Sequence, residues 1–338
     1  MLWHARAFEH GTKQVSMFSV GIPFILVSIA VVSVRIHVVL HLLSKNLAID
    51  DYFMVIGTFF TICLSVANMI CGWYGVGMHT LDIPPENLVP MLKANLATRL
   101  LYVVAICFVK LSILLFYLNI ERRRAWRWTG YFLMAFVLAL SLATFFVLLF
   151  VCVPPSLFWN PVEQALHPEK CMKQSTQQAF FELNGVLNIV QDVSIIIFPI
   201  GMIWNLKMSI RRKIGLAALF SVGLVAVAAG SVRFYYVLSL AKEADLWYYM
   251  ADSLNWCSIE IYAGIIASSA ATFNKLVKEY LPKKWSGSYG SSATPRHNYQ
   301  SAEQIKMRSH GTHSSRKHGI IGLTENDSEE AIVSKGGR

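Results

Sequence analysis

Arg99, Lys110, Asp192, Arg233 and Glu260 are ionisable residues set inside long apolar stretches. Tyr102, Asn188 and Trp256 accompany them at helical spacing. Such a set suits three kinds of chemistry. Opposite charges can pair and hold helix register, a polar cluster can bind a ligand or an ion, and linked acids and bases can relay ions through a membrane. Lys110 poses the question most sharply, because it stands within LLYVVAICFVKLSILLFYL, Leu100 to Leu118. An ionisable group at mid-bilayer costs about 2.5–3.5 kcal/mol on insertion scales, so it is expected to face the bundle interior. Arg99 and Lys110 are eleven positions apart, about three helical turns. Tyr102, Ile106, Ile113 and Tyr117 share their stripe, so the polar residues form one face. Asn184, Asn188, Gln191 and Asp192 make a matching stripe further on, and Asp252, Asn255, Trp256 and Glu260 a third. Lys110 is expected to pair with Asp192 or Glu260, and either a register-fixing pair or a ligand site would satisfy the pattern. Snorkelling is the weakest option, because reaching the level of Asn119 requires about 13 Å of helix.

The elements that position these residues are membrane helices. The chain is 55% hydrophobic and only 15% charged, with the apolar residues in blocks. A soluble domain is nearer a quarter charged. Seven blocks reach the roughly 20 residues needed to cross a bilayer, at about 16–40, 52–73, 94–119, 129–151, 182–205, 214–238 and 249–273. Each is expected to be helical, because backbone groups facing lipid must pair within their own segment. The predicted fold is all-α: a seven-transmembrane helix bundle over residues 16–275, preceded by a short segment 1–15 and followed by a tail 276–338. The first apolar run is too long for a signal-peptide core and reads as a retained anchor.

The formal net charge is +10, but its distribution argues against a nucleic-acid partner. Basic residues crowd the loop after span 3 (Arg122, Arg123, Arg124, Arg127) and the loop after span 5 (Lys207, Arg211, Arg212, Lys213). Lys45 stands between spans 1 and 2 and Lys275, Lys278, Lys283 and Lys284 follow span 7, whereas the alternate loops hold only Lys93, Lys170, Lys173 and Lys242. The positive-inside rule then puts the N-terminus outside and the C-terminus in the cytosol. Trp73, Trp126, Trp128, Trp159, Trp204 and Trp247 lie near span ends and are expected to anchor at the interfaces.

Cys152 and Cys171 bound the large loop after span 4, predicted to be outside, and are a disulfide candidate. Cys71 could compete for either partner. The loop GWYGVGMHTLDIPPENL after span 2 reads equally as a lid or a rigid connector. His79 lacks partners at metal spacing, so no metal site is expected. The tail is rich in Ser, Gly, His, Lys and Arg and is expected to be disordered. Its one Asn-x-Ser sequon, at Asn326, should stay unglycosylated if the tail is cytosolic.

Several segments carry a resemblance. DDYFMVIG (Asp50–Gly57), YGVGMHTLDIPPENL (Tyr74–Leu88), LYVVAICFVKLSILLFYLNI (Leu101–Ile120) and the pattern through Cys152, Pro154, Trp159, Pro161 and Cys171 come in order. LNIVQDVSIIIFPI (Leu187–Ile200), RRKIGL (Arg211–Leu216), VRFYY (Val232–Tyr236) and Ile259–Glu260 follow. The chain resembles the fungal rhodopsin-domain membrane proteins, also called the satratoxin-cluster protein 4 family, and is similar to the seven-helix core of Pth11-type receptors. The resemblance implies a fungal multi-pass membrane protein, receptor-like, in the plasma membrane or another endomembrane. About fifteen residues precede the first span, so the Cys-rich domain of Pth11-type receptors is expected to be absent. Retinal is not expected either: rhodopsins hold it on a span-7 lysine, and here Lys275 stands only at that span's end. No cofactor is expected.

The expected partners are the lipid bilayer, a small-molecule ligand and a cytosolic signalling protein. The alternative is a small-solute transporter or channel built on Lys110, Asp192 and Glu260. An enzyme is not expected: the sequence has no nucleophile elbow, HExxH, Cys-x-x-Cys or phosphate loop.

Overall fold

A computed structural model describes residues 12–42, 47–120, 123–203, 210–240 and 245–280. Within these, the side chains of 210–220 and 271–280 are not described. Seven long helices occur among the described residues. They are α1 (Gln14–His37, extended by a π-helical turn Val38–Leu42), α2 (Ile49–Tyr74) and α3 (Pro85–Ile120), then α4 (Arg124–Leu149), α5 (Gln174–Ile203), α6 (Ile210–Leu240) and α7 (Leu246–Tyr280).

Each helix packs on its neighbours in sequence, and α7 closes the ring onto α1. α3 also meets α7, which makes it the inner helix. In its apolar segment 67% of residues are buried, against 22% for α1 and α4. Five helices, α1 to α5, are long and apolar enough to cross a membrane; in α6 the described apolar stretch is the shorter Gly223–Ser239.

Hydropathy located the helices but not their ends. α3 begins at Pro85 rather than about 94, α5 at Gln174 rather than about 182, and α7 reaches Tyr280, past the expected boundary at 276. Backbone hydrogen bonding continues through polar residues, whereas a hydropathy window sees only the lipid-buried part. Proline suits the first turn of a helix, where its missing N–H is not needed, so Pro85 opens α3 instead of delaying it. At 36 residues, α3 is about 54 Å long, well beyond the roughly 30 Å hydrocarbon core.

The outward faces are apolar. Leu26 on α1, Phe59 on α2, Phe132 and Phe146 on α4 and Ile197 on α5 are all exposed. In water such a surface would drive association; in lipid it is the expected solvent-facing side. Two apolar clusters fill the interior. Met54, Leu64, Ala105, Val109, Ile261 and Ile265 join α2, α3 and α7, while Leu114, Tyr117, Leu133, Val137 and Phe198 join α3, α4 and α5. Small residues let backbones approach: a Cβ on Gly264 would lie 2.9 Å from Val109 Cγ1, and one on Gly57 3.1 Å from Val109 Cγ2. Close approach of this kind is how helices associate where no hydrophobic force acts between them.

The loop after α2 is tied to its neighbours by backbone hydrogen bonds. Gly75 and Gly77 take φ of 132° and 94°, which side-chain-bearing residues rarely adopt. Lys13 N donates to Gly77 O at 2.9 Å and Gly77 N to Trp247 O at 3.0 Å, tying the starts of α1 and α7 together. His79 in this loop stacks on Tyr248. Of the tryptophans read as interface anchors, Trp73 and Trp128 are exposed, whereas Trp126 packs on Phe198. Trp204, Lys45, Lys207 and the tail from 281 lie outside the described residues.

Candidate functional site

Lys110 projects from α3 to α5 and is buried. Its Nζ lies 2.9 Å from Asp192 Oδ1 and donates to Asn188 Oδ1 at 3.2 Å and Gln191 Oε1 at 3.4 Å. An ammonium has three protons to give, and three acceptors meet it. Asn188 and Gln191 are themselves held: Asn188 Nδ2 donates to Asn184 O at 3.0 Å, and Gln191 Nε2 to Phe136 O on α4 at 3.3 Å. Asn188, Gln191 and Asp192 on α5 are thus one acceptor array for a single lysine.

A second pair lies beside it. Arg233 Nε on α6 donates to Glu260 Oε2 on α7 at 2.8 Å. Tyr102 on α3 donates to Glu260 Oε1 at 3.1 Å, and the Arg233 guanidinium sits 5.3 Å from the centre of the Tyr102 ring. Between the pairs stands Gly230. A Cβ there would be 3.6 Å from Asp192 Oδ2 and 3.7 Å from Glu260 Oε2, so the two carboxylates approach the same point on α6. Each acid is offset by one base. Asp192 Oδ2 and Arg233 Nη2 nevertheless have no hydrogen-bond partner.

Arg99 differs. Its Nε donates to Asn95 Oδ1 at 3.2 Å and its guanidinium lies 5.5 Å from the Phe181 ring centre. No carboxylate pairs with it among the described residues. Trp256, also read as a candidate, is half-buried on α7 and lines neither cavity described next.

Two cavities flank the ion pairs. The larger, about 260 Å³, lies at the disulfide-loop end between α3, α4, α5, α6 and α7 and is lined by Arg99, Tyr102 and Arg233. The smaller, about 60 Å³, lies beyond the pairs and is lined by Lys110, Asp192 and Glu260. A water needs about 10–15 Å³ measured this way. The inner cavity therefore has room for a few waters, and the outer one for an organic molecule. Gln174, Gln177, Gln178 and Phe181 face the outer cavity at helical spacing. These glutamines escaped the sequence reading because α5 was taken to begin at about 182.

A third charged cluster also escaped it. Arg35 on α1 is 1% exposed. Its Nε donates to Asp51 Oδ1 at 2.9 Å and its Nη2 to Asp50 Oδ2 at 3.0 Å on α2. Nη1 reaches Ser268 O at 3.0 Å and Oγ at 2.8 Å on α7. Asn119 of α3 adds a bond to Asp50 Oδ1 at 2.8 Å. The signal was present: a lone arginine in span 1 and an Asp pair opening span 2 stand at the same depth.

At the opposite end, Cys152 and Cys171 form a disulfide across the loop after α4, with Lys93 above Trp159 in the same loop. Cys71, the possible competitor, is a buried free thiol. Arg123, Arg124 and Arg127 are exposed around the start of α4. Arg122 lies outside the described residues, as do the side chains of Arg211, Arg212 and Lys213 at the start of α6.

Apolar helix faces turned outward around buried ion pairs define an integral, multi-pass membrane protein. The chain belongs to the fungal rhodopsin domain family, which matches residues 34–279. Among curated proteins it is 29% identical to an SAT4 family membrane protein of Emericella nidulans, over 62% of this chain and 52% of that one. It is 25% identical to Fugralins biosynthesis cluster protein 2 of Gibberella zeae, over 61% and 51%. It is 28% identical to Receptor GIN3 of Arthrobotrys oligospora, over 64% and 54%. The chain spans about half the length of these relatives. No solved structure matches it significantly.

Proposed function

We propose that the protein is a receptor-like membrane protein that crosses the bilayer seven times and binds a small molecule in the outer cavity. The observation that carries this reading is the cavity of about 260 Å³ resting on a layer of ion pairs that ties α3, α5, α6 and α7 together. A ligand touching Tyr102 or Arg233 bears on Glu260, and through it on the packing of α6 against α7. The similarity to a protein named as a receptor supports the same reading. No retinal is invoked, since α7 has no lysine between Leu246 and Phe273.

In this reading the disulfide loop faces outward from the plasma membrane, and the Arg123–Arg127 end meets a cytosolic signalling protein. A sequon placed in the Pro161–Leu166 segment should acquire a glycan while Asn326 does not; the reverse pattern inverts the topology. The binding claim is tested by thermal shift of the purified chain in nanodiscs against a small-molecule panel. A panel without a single hit that also depends on Tyr102 or Glu260 sinks it.

A second reading has its own support. Lys110, Asp192 and Glu260 line the inner cavity while Tyr102 and Arg233 line the outer one, so the pairs form a septum of the kind a transporter opens alternately. Solute flux into proteoliposomes, abolished by Glu260→Gln, would favour transport over sensing.

A further inference from the structure

We propose that the outer cavity binds a small organic monocarboxylate, its carboxylate taken by Arg99 and its carbon skeleton by the apolar wall. This rests on the small-molecule reading above and adds the ligand's charge and class.

Charge balance is the first argument. Around this cavity the described ion pairs are Lys110 with Asp192 and Arg233 with Glu260, and Arg99 has no acid beside it among the described residues. Lys13 pairs with Asp252 at the same end, and neither Asp252 nor Asp245 lines the cavity. Glu182, bonded by Gln178 Nε2 at 3.0 Å, does not line the cavity. Arg99 is half-buried in the cavity wall; a guanidinium partly withdrawn from water without an anion is costly, and a bound anion relieves that cost.

Hydrogen bonding is the second. Arg233 also lines the cavity, and its Nη2 is buried with no partner. A guanidinium presents a planar fork that matches a carboxylate. One uncompensated cation suits a monoanion; a phosphate dianion calls for more positive charge than the cavity holds. The third is the wall. Val103, Leu148, Phe181, Met250 and Leu254 line the same space, and a bare inorganic anion would leave them facing an empty volume. Ligand pockets that are mostly apolar with a few placed polar groups take molecules of that same composition.

The test uses the purified full-length chain in nanodiscs and four carboxylates: butyrate, hexanoate, cinnamate and 4-phenylbutyrate. Each is compared with its matching alcohol and amine, and with chloride. Binding is read by calorimetry and thermal shift. The expected result is that at least one carboxylate binds at least tenfold more tightly than its alcohol and amine. Arg99→Gln should remove that preference, and Arg99→Lys, which keeps the charge and guards against a folding defect, should retain part of it. The proposal is overturned if alcohols or amines bind as well as acids, which would leave a cavity ligand of another class. It is overturned equally if chloride matches the acids, or if Arg99→Gln binds them unchanged. If nothing in any series binds, the small-molecule reading falls with it.

Discussion

Two arginines at opposite ends of the bundle are treated in opposite ways. Arg35 is sealed among two aspartates and Ser268, lines neither cavity described, and joins α1, α2 and α7. Arg99 bonds Asn95, lies over the Phe181 ring with no carboxylate paired to it among the described residues, and borders the largest cavity described. A guanidinium whose donors are taken by the protein has nothing left to offer a ligand, so Arg35 reads as a structural lock. One left short of anions beside open volume is arranged for something that arrives. Burial alone does not separate the two roles; satisfaction of the donors does.

The largest effect that sharpens this contrast should come from Arg35→Met. It removes the guanidinium that bonds both Asp50 and Asp51, and breaking a buried pair costs about 3–5 kcal/mol, so a loss of about 5 kcal/mol is expected in thermal unfolding of the nanodisc-embedded protein. A small loss would mean that Arg35 is not the lock described. Lys110→Met should cost about 3 kcal/mol by the same reasoning. Adding Asp192→Leu should restore most of it, because a matched apolar replacement of a buried pair is often neutral; failure of that rescue would point to a role for Asp192 beyond pairing. Gly264→Ala pushes a methyl against Val109 and should cost about 1–3 kcal/mol by overpacking, without altering ligand binding. Arg99→Gln should change stability least, by under about 1 kcal/mol and in either direction, since it breaks no ion pair. If Arg99→Gln proved as damaging as Arg35→Met, the distinction between the two arginines would collapse.

Much of the site was legible because helical periodicity reports faces. The stripe from Arg99 through Lys110 to Tyr117, and that from Asn184 to Asp192, needed only a period of 3.6 and the cost of charge in lipid. The elements most clearly read were those with unbroken apolar runs, above all α3 and α4. What escaped lay at polar ends. Gln174, Gln177 and Gln178 precede the apolar part of α5, where hydropathy falls silent although the helix continues. Arg35 stands alone among the apolar residues of span 1, because its partners are in different helices and only the packing of α1 on α2 and α7 brings them level.

By itself the sequence determined the solvent and the orientation of faces. Long apolar runs admit few structures but helices in lipid, and a charge within them must turn inward. The tertiary structure decided who pairs with whom: Lys110 with Asp192, Arg233 with Glu260, and Arg99 with no acid among the described residues. The physical reason is that a stripe fixes direction around one helix axis, whereas a partner depends on the relative depth and rotation of two helices. Those are set by contacts such as Val109 against Gly57 and Gly264, which join helices that lie far apart along the chain.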